Sequence, residues 1–288
     1  MNENFLSGGS DLQPSRLRIS PRKSFFDKTI AGWREIVEGC QQWRLWYLMG
    51  SGDLRRRYVR SKLGQIWIIL STAIMFTVSA IAWSFLWNIP IREMLPFMAI
   101  GMVTWGFVST LINESTLALV SSSHYFNNQY ICASTVLYAV IYRNLITFLL
   151  NMIIPLIICI MFTTGFSIYA LLSLPGVLLL VISCSWIAFV VAIVCTRFRD
   201  IVQIVGSLLQ ILFFLTPILW KPEIVSMEVR NLLIYNPFAV LLAIVRDPLL
   251  NQPVPLEYWG AAFGFSVVGL LLTLPLIGKF RRRIIYWL

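Results

Sequence analysis

From about residue 66 onward, apolar residues continue for some twenty positions at a time, separated by short polar connections. Runs of that length suit helices crossing a hydrocarbon core roughly 30 Å thick. The pattern predicts six spans, at about 66–87, 95–117, 135–162, 168–195, 201–221 and 256–278. Upstream the period changes. Ile30, Trp33, Val37, Cys40, Trp43 and Tyr47 recur at steps of three and four, opposite Arg34, Glu35, Glu38 and Arg44, which is the spacing of one helical face. This predicts a Trp-bearing amphipathic helix over about 26–48, suited to the membrane interface; packing on a soluble partner is the alternative. Residues 1–25, rich in Ser, Gly, Pro and Arg, carry too little apolar surface to pack and are expected to form a disordered cytosolic tail.

The stretch NLLIYNPFAVLLAIVRDPLL, 231–250, resembles a seventh span. Asn236-Pro237 supplies a helix start and Asp247-Pro248 a stop, so a re-entrant helix is expected there. Backbone that turns back at membrane depth needs protein or a watery cavity around it, which makes 222–255 a candidate outer gate or vestibule.

Charge settles the orientation. Residues 1–65, the 196–200 loop and the C-terminal Lys279, Arg281, Arg282 and Arg283 hold eighteen basic residues; the opposite connections hold four, Arg92, Lys221, Arg230 and Arg246. The positive-inside rule then puts both termini in the cytoplasm, and a seventh crossing would move KFRRR outside. With 58% hydrophobic and 12% charged residues, against about 25% charged in soluble domains, the chain reads as an all-α polytopic membrane protein. Its expected parts are the tail (1–25), the interface helix with a basic loop (26–64) and a six-helix transmembrane domain (65–288). The net charge of +10 lies outside the apolar runs, so it does not make a nucleic-acid face. The polar N-terminus lacks the apolar core of a cleaved signal, which leaves the first span as the expected insertion signal.

Chemistry-bearing groups are sparse. His124 is the sole histidine, and there is no HExxH, no paired-Cys spacing and no GxxxxGK[ST] loop, so metal and self-contained ATP chemistry lack support. The five cysteines, at 40, 132, 159, 184 and 195, suggest no disulfide framework. Glu114 and Arg143 fall near the inner ends of the second and third spans; ionisable groups there pair or face water, so an ion pair is expected, with a polar pathway as alternative. Trp105, Phe107 and Trp186 fit the aromatic belt poorly, and are candidates either for a pore lining that stacks on sugars or for helix packing.

Taken in order, RRRYVRSKLGQIW before the first span, TRFRDIVQIVGSLLQILFFLTPILW across the fourth and fifth, NPFAVLLAIVRDPLL and the closing KFRRRIIYW resemble the transmembrane subunit of type-2 ABC exporters for polysaccharides, the O-antigen, capsule and teichoic acid exporters. The resemblance runs from about residue 30 to the end. It implies a homodimer with two ATP-binding cassette subunits, which bind ATP and Mg, moving an undecaprenyl-diphosphate-linked glycan outward across the bacterial inner membrane. It further implies an ATPase coupling segment at about 119–134, including His124, Tyr125 and Phe126, and re-entrant helices closing an outer gate. The basic loop becomes a candidate entrance for the lipid diphosphate. Arg55, Arg56, Arg57, Arg60 and Lys62 can contact phosphate oxygens, Arg bidentately. Tyr58 lies among them, and Leu63-Gly64 permits a tight turn or a close backbone approach. Orientation by the same charges is the simpler role. Export of a drug or small lipid is the alternative function; a lipid-carrier enzyme would need clustered acids, His or Ser, and only Glu114 is offered.

Overall fold

The computed structural model describes residues 25–58, 66–128, 131–162, 168–281 and 283–287, and every regular element among them is helical. Residues 1–24, most of the expected tail, lie outside the described residues. Two helices precede the first span, α1 (Phe25–Gln41) and α2 (Trp43–Tyr58), so the single helix expected over 26–48 is divided at Gln42. Gln42 is tethered from the third span, where the Thr135 hydroxyl donates to its side-chain oxygen at 2.6 Å.

The spans follow as α3 (Ile66–Trp87) and α4 (Ile91–Ser121), then a short α5 (Ser123–Asn128) and α6 (Ala133–Phe162). A 3-10 turn, Ile168–Leu172, leads into α7 (Ser173–Arg197), followed by α8 (Ile201–Leu215). The connection after α8 holds α9 (Met227–Leu232) and α10 (Pro237–Leu249), before α11 (Leu256–Phe280) and a terminal turn α12 (Ile284–Trp287). Five of these elements are long and apolar enough to cross a membrane: α3, α4, α6, α7 with its leading 3-10 turn, and α11.

α8 is the exception among the six expected spans. The apolar run continues to Trp220, yet the helix stops after 15 residues, about 22 Å at 1.5 Å per residue, short of a roughly 30 Å core. Pro217 explains the stop, because its ring disfavours a helical residue before it and Thr216 is accordingly extended, at φ −94° and ψ 136°. α9, with the 3-10 turn Leu233–Tyr235 that continues it, meets α10 at 99°, the sharp bend of a broken span or re-entrant loop. Asn236 caps α10, its side-chain oxygen accepting from the Phe238 and Ala239 amides, with Pro237 at the first helical position.

α4 is the hub of the bundle, packed on α3, α6 and α7 and buried along most of its length, whereas α3 is largely exposed. α1 lies across the C-terminal part of α11. Small residues make that crossing possible: a Cβ at Gly32 would strike the Leu274 carbonyl, and one at Gly278 the Lys28 carbonyl. Backbones this close tolerate no side chain between them. The buried side of α1 is Gly32, Glu35 and Gly39, while Ile30 and Trp33 are exposed, as is Trp43 at the start of α2. Glu35, placed by periodicity on the polar outer face, is thus an inward residue, because the glycines flanking it set which side approaches the bundle. Gly278→Ala is expected to lower stability by about 1–3 kcal/mol through overpacking against backbone. Hydrogen exchange checks this, with α1 amides deprotected ahead of α4 amides; unchanged protection of α1 would rule the crossing out as its anchor.

Candidate functional site

Helices α2, α4 and α6 converge on a network of charged groups. Arg143, from α6, donates through one guanidinium nitrogen to Glu114 of α4 at 2.7 Å and through another to Asp53 of α2. Glu114 also accepts from Asn144 at 2.7 Å and, on its other oxygen, from Arg57 at 2.8 Å. Asp53 in turn accepts from Arg56 at 2.6 Å. The Arg56 guanidinium is held further above its usual range by its hydrogen bond to Asp53.

The ion pair expected between Glu114 and Arg143 is therefore present as the centre of a larger cluster. Two carboxylates, Asp53 and Glu114, face three guanidinium groups, Arg56, Arg57 and Arg143. Exposure falls inward, from 50% for the Arg57 side chain and 37% for Asp53 to 24% for Glu114 and 13% for Arg143. The outer contacts are screened and weak individually, while the inner pair is shielded enough for its geometry to matter. Sequence reasoning missed Asp53 and Asn144. The signal for Asp53 was available: it is the one acid beside Arg55, Arg56 and Arg57, in GDLRRR.

The entrance residues separate into two groups. Arg56 and Arg57 are engaged in the network, and Arg55 is exposed on the same last turn of α2. Arg60, Lys62, Leu63 and Gly64 lie outside the described residues, as does the Tyr58 side chain. In the coupling segment, α5 reverses the chain between α4 and α6. His124 is exposed with its ring 3.9 Å from that of Tyr125, and Phe126 packs inward against the core.

Of the three candidate channel aromatics, Trp105 and Phe107 are buried and Trp186 is half-buried. Trp105 is buried against Phe213 and Phe238, and Phe107 against Phe148 at 5.1 Å. Trp186 lies over Gly269 and meets Phe265 edge-on at 5.1 Å. These contacts fit the packing alternative: Trp105 and Phe107 meet other rings, and Trp186 occupies the space that Gly269 leaves.

A second polar cluster seats α1. Glu35 accepts from the Ala133 amide at 3.1 Å, and the Ser134 hydroxyl donates to the Glu35 carbonyl at 2.6 Å. Burial raises the Glu35 carboxyl above its ordinary range, with Arg281 opposing. Glu35, Glu38 and Cys132 bring three ligand-type atoms within 4.8 Å of one another. Burial, helped by the two carboxylates, pushes the Cys132 thiol up to about 11, which keeps it a neutral donor toward Glu38, and the Glu35 oxygen is already spent on backbone. These groups fasten α1 to α6.

At the bend before α11, Arg246 of α10 is 2% exposed. It donates to the Pro217 carbonyl at 2.6 Å and to Asp247 at 2.9 Å, and its guanidinium lies 3.9 Å from the centre of the Phe97 ring. A cavity of about 420 Å3 opens beside it, lined in part by Glu223, Arg230, Asn231, Glu257 and Tyr258.

No family model matches the chain. It is 22% identical over 239 residues to an O-antigen export system permease protein RfbA of Klebsiella pneumoniae, covering 80% of this chain and 90% of that protein. A protein of the same description from Myxococcus xanthus is 24% identical over 211 residues, covering 70% of this chain and 79% of its own length. With the helical, multi-pass fold, these relatives bear out the class read from the sequence, the permease subunit of a type-2 ABC exporter. Within that class, the proteins this chain is similar to are O-antigen export permeases.

Proposed function

We propose that the chain is the membrane-spanning subunit of an ATP-driven exporter that moves an undecaprenyl-diphosphate-linked, O-antigen-like polysaccharide across the bacterial inner membrane. Two copies line a channel at their interface, and two ATP-binding cassette subunits bind ATP and Mg and supply the energy. The similarity to O-antigen export permeases over most of the chain carries this reading. The inner network supports its mechanism. Arg56 of α2 shares Asp53 with Arg143 of α6, which holds Glu114 of α4. A push on α5, which follows directly on α4, would therefore reach α6 and α2 through Glu114, Arg143 and Asp53. Arg55, with Arg60, Lys62, Leu63 and Gly64, forms the entrance where a lipid diphosphate meets the membrane, while Arg56 and Arg57 brace it.

The reading is tested by deleting the gene and following the lipid-linked polymer. The expected outcome is continued synthesis with the polymer retained on the cytoplasmic side and restored export on complementation. Normal surface polymer in the deletion strain would remove the proposal, and an intact polymer with an altered drug or small-lipid profile would favour the alternative substrate class.

A further inference from the structure

A cleft of about 480 Å3 lies where the inner ends of α7 and α11 meet α12, within the roughly 300–1,000 Å3 range of small-molecule sites. Its walls are Ile193, Val194, Leu276, Phe280 and Trp287, and its rim carries Arg197, Lys279 and Arg283. Aromatic faces orient two of the cations: Arg197 lies 5.1 Å from the centre of the Trp287 ring and Lys279 lies 4.9 Å from that of Phe280, the two rings themselves being 5.3 Å apart. Among the described residues none of the three rim cations forms a salt bridge with a carboxylate. The inner network, in contrast, matches nearly every cation with an acid.

An apolar cleft at the membrane surface with three cations on one rim fits a molecule that is apolar at one end and anionic at the other. We propose that this cleft is a binding site for an anionic glycerophospholipid of the cytoplasmic leaflet, of the phosphatidylglycerol type. An acyl chain lies along Val194, Leu276 and Trp287. The phosphate sits between Arg197, Lys279 and Arg283, the chemistry by which basic pockets between transmembrane helices hold acidic headgroups, with the Arg forks supplying directed contacts to its oxygens. Such a lipid would pin α12 against α7 and α11, and the site is separate from the entrance on α2.

The test uses the full-length purified protein in detergent, scored by native mass spectrometry and by thermal unfolding during titration with phosphatidylglycerol, with phosphatidylcholine of the same chains, and with inorganic phosphate. Phosphatidylglycerol is expected to bind and stabilise; the other two are expected to do neither at the same concentration. The combined substitution Arg197→Gln, Lys279→Gln and Arg283→Gln is expected to weaken binding on the order of 100-fold. Because those charges also help set topology, Val194→Trp serves as a second variant that fills the cleft with every cation kept, and it is expected to weaken binding by at least about 10-fold. Equal binding of phosphatidylcholine, full competition by inorganic phosphate, displacement by a polyprenyl diphosphate at lower concentration, or unchanged binding in Val194→Trp would each overturn the assignment.

Discussion

Replacing Arg143 by methionine is expected to abolish export and to lower stability by about 3 kcal/mol, toward the low end for breaking a shielded ion pair because its partners are partly exposed. The substitution removes the single group that touches both carboxylates, so Glu114 and Asp53 lose their common counter-charge. Arg57 remains on Glu114 and Arg56 on Asp53, which limits the loss to the inner contact and removes the charged link between α2 and α6 while Trp46 and Tyr47 stay packed on Tyr142. Thermal unfolding of the purified protein and surface polymer in a complemented deletion strain measure the two effects. Retained export at wild-type stability would show that the network carries no coupling.

The network also changes what a charge swap should do. For an isolated pair, Glu114→Arg with Arg143→Glu would restore the interaction. Here the same exchange sets a new carboxylate beside Asp53 and a new guanidinium beside Arg57, each a repulsive contact, so the double variant is expected to be no better than either single one. Rescue would mean that Glu114 and Arg143 act as a pair alone, and that Asp53 and Arg57 are incidental neighbours.

That difference marks how far the sequence could be read. Glu114 and Arg143 stood out because charges inside long apolar runs are rare, and the structure joins them. Arg57 looked like part of an entrance because a basic segment ahead of a span has the same composition whether its members face lipid phosphates or acids on neighbouring helices. Helix existence followed from run length for α3, α4, α6, α7 and α11, where one solvent requirement dominates. It failed at the end of α8, where Pro217 interrupts hydrogen bonding without lowering hydropathy. The face of α1 was misjudged at Glu35 for a related reason. Periodicity ranks residues by polarity, but Gly32 and Gly39 decide the approach to the bundle by size, a property hydropathy does not weigh. Trp105, Phe107 and Trp186 illustrate a third limit, since a ring's depth along a helix leaves its direction open.

Arg246 reads as one more basic residue of a connection in the sequence, yet it is the most deeply buried charge among the described residues. Methionine at this position is expected to cost about 3–5 kcal/mol. Its side chain would still fill the space over Phe97, so little of that loss is a cavity; the cost comes from stranding the Pro217 carbonyl and leaving Asp247, only 19% exposed, without its cation. Arg246→Lys keeps the charge but lacks the planar fork that reaches carbonyl and carboxylate together, and is expected to recover part of the loss. Pro217 ends the helical part of α8 and Arg246 belongs to α10, so the hydrogen bond ties the fifth apolar segment to the bent helix pair. Hydrogen exchange should therefore show early opening of α10 in Arg246→Met, with α4 little changed. If α10 stayed as protected as in the parent, the bend would be held by the Asn236 cap and apolar packing, and Arg246 would be a passenger within it.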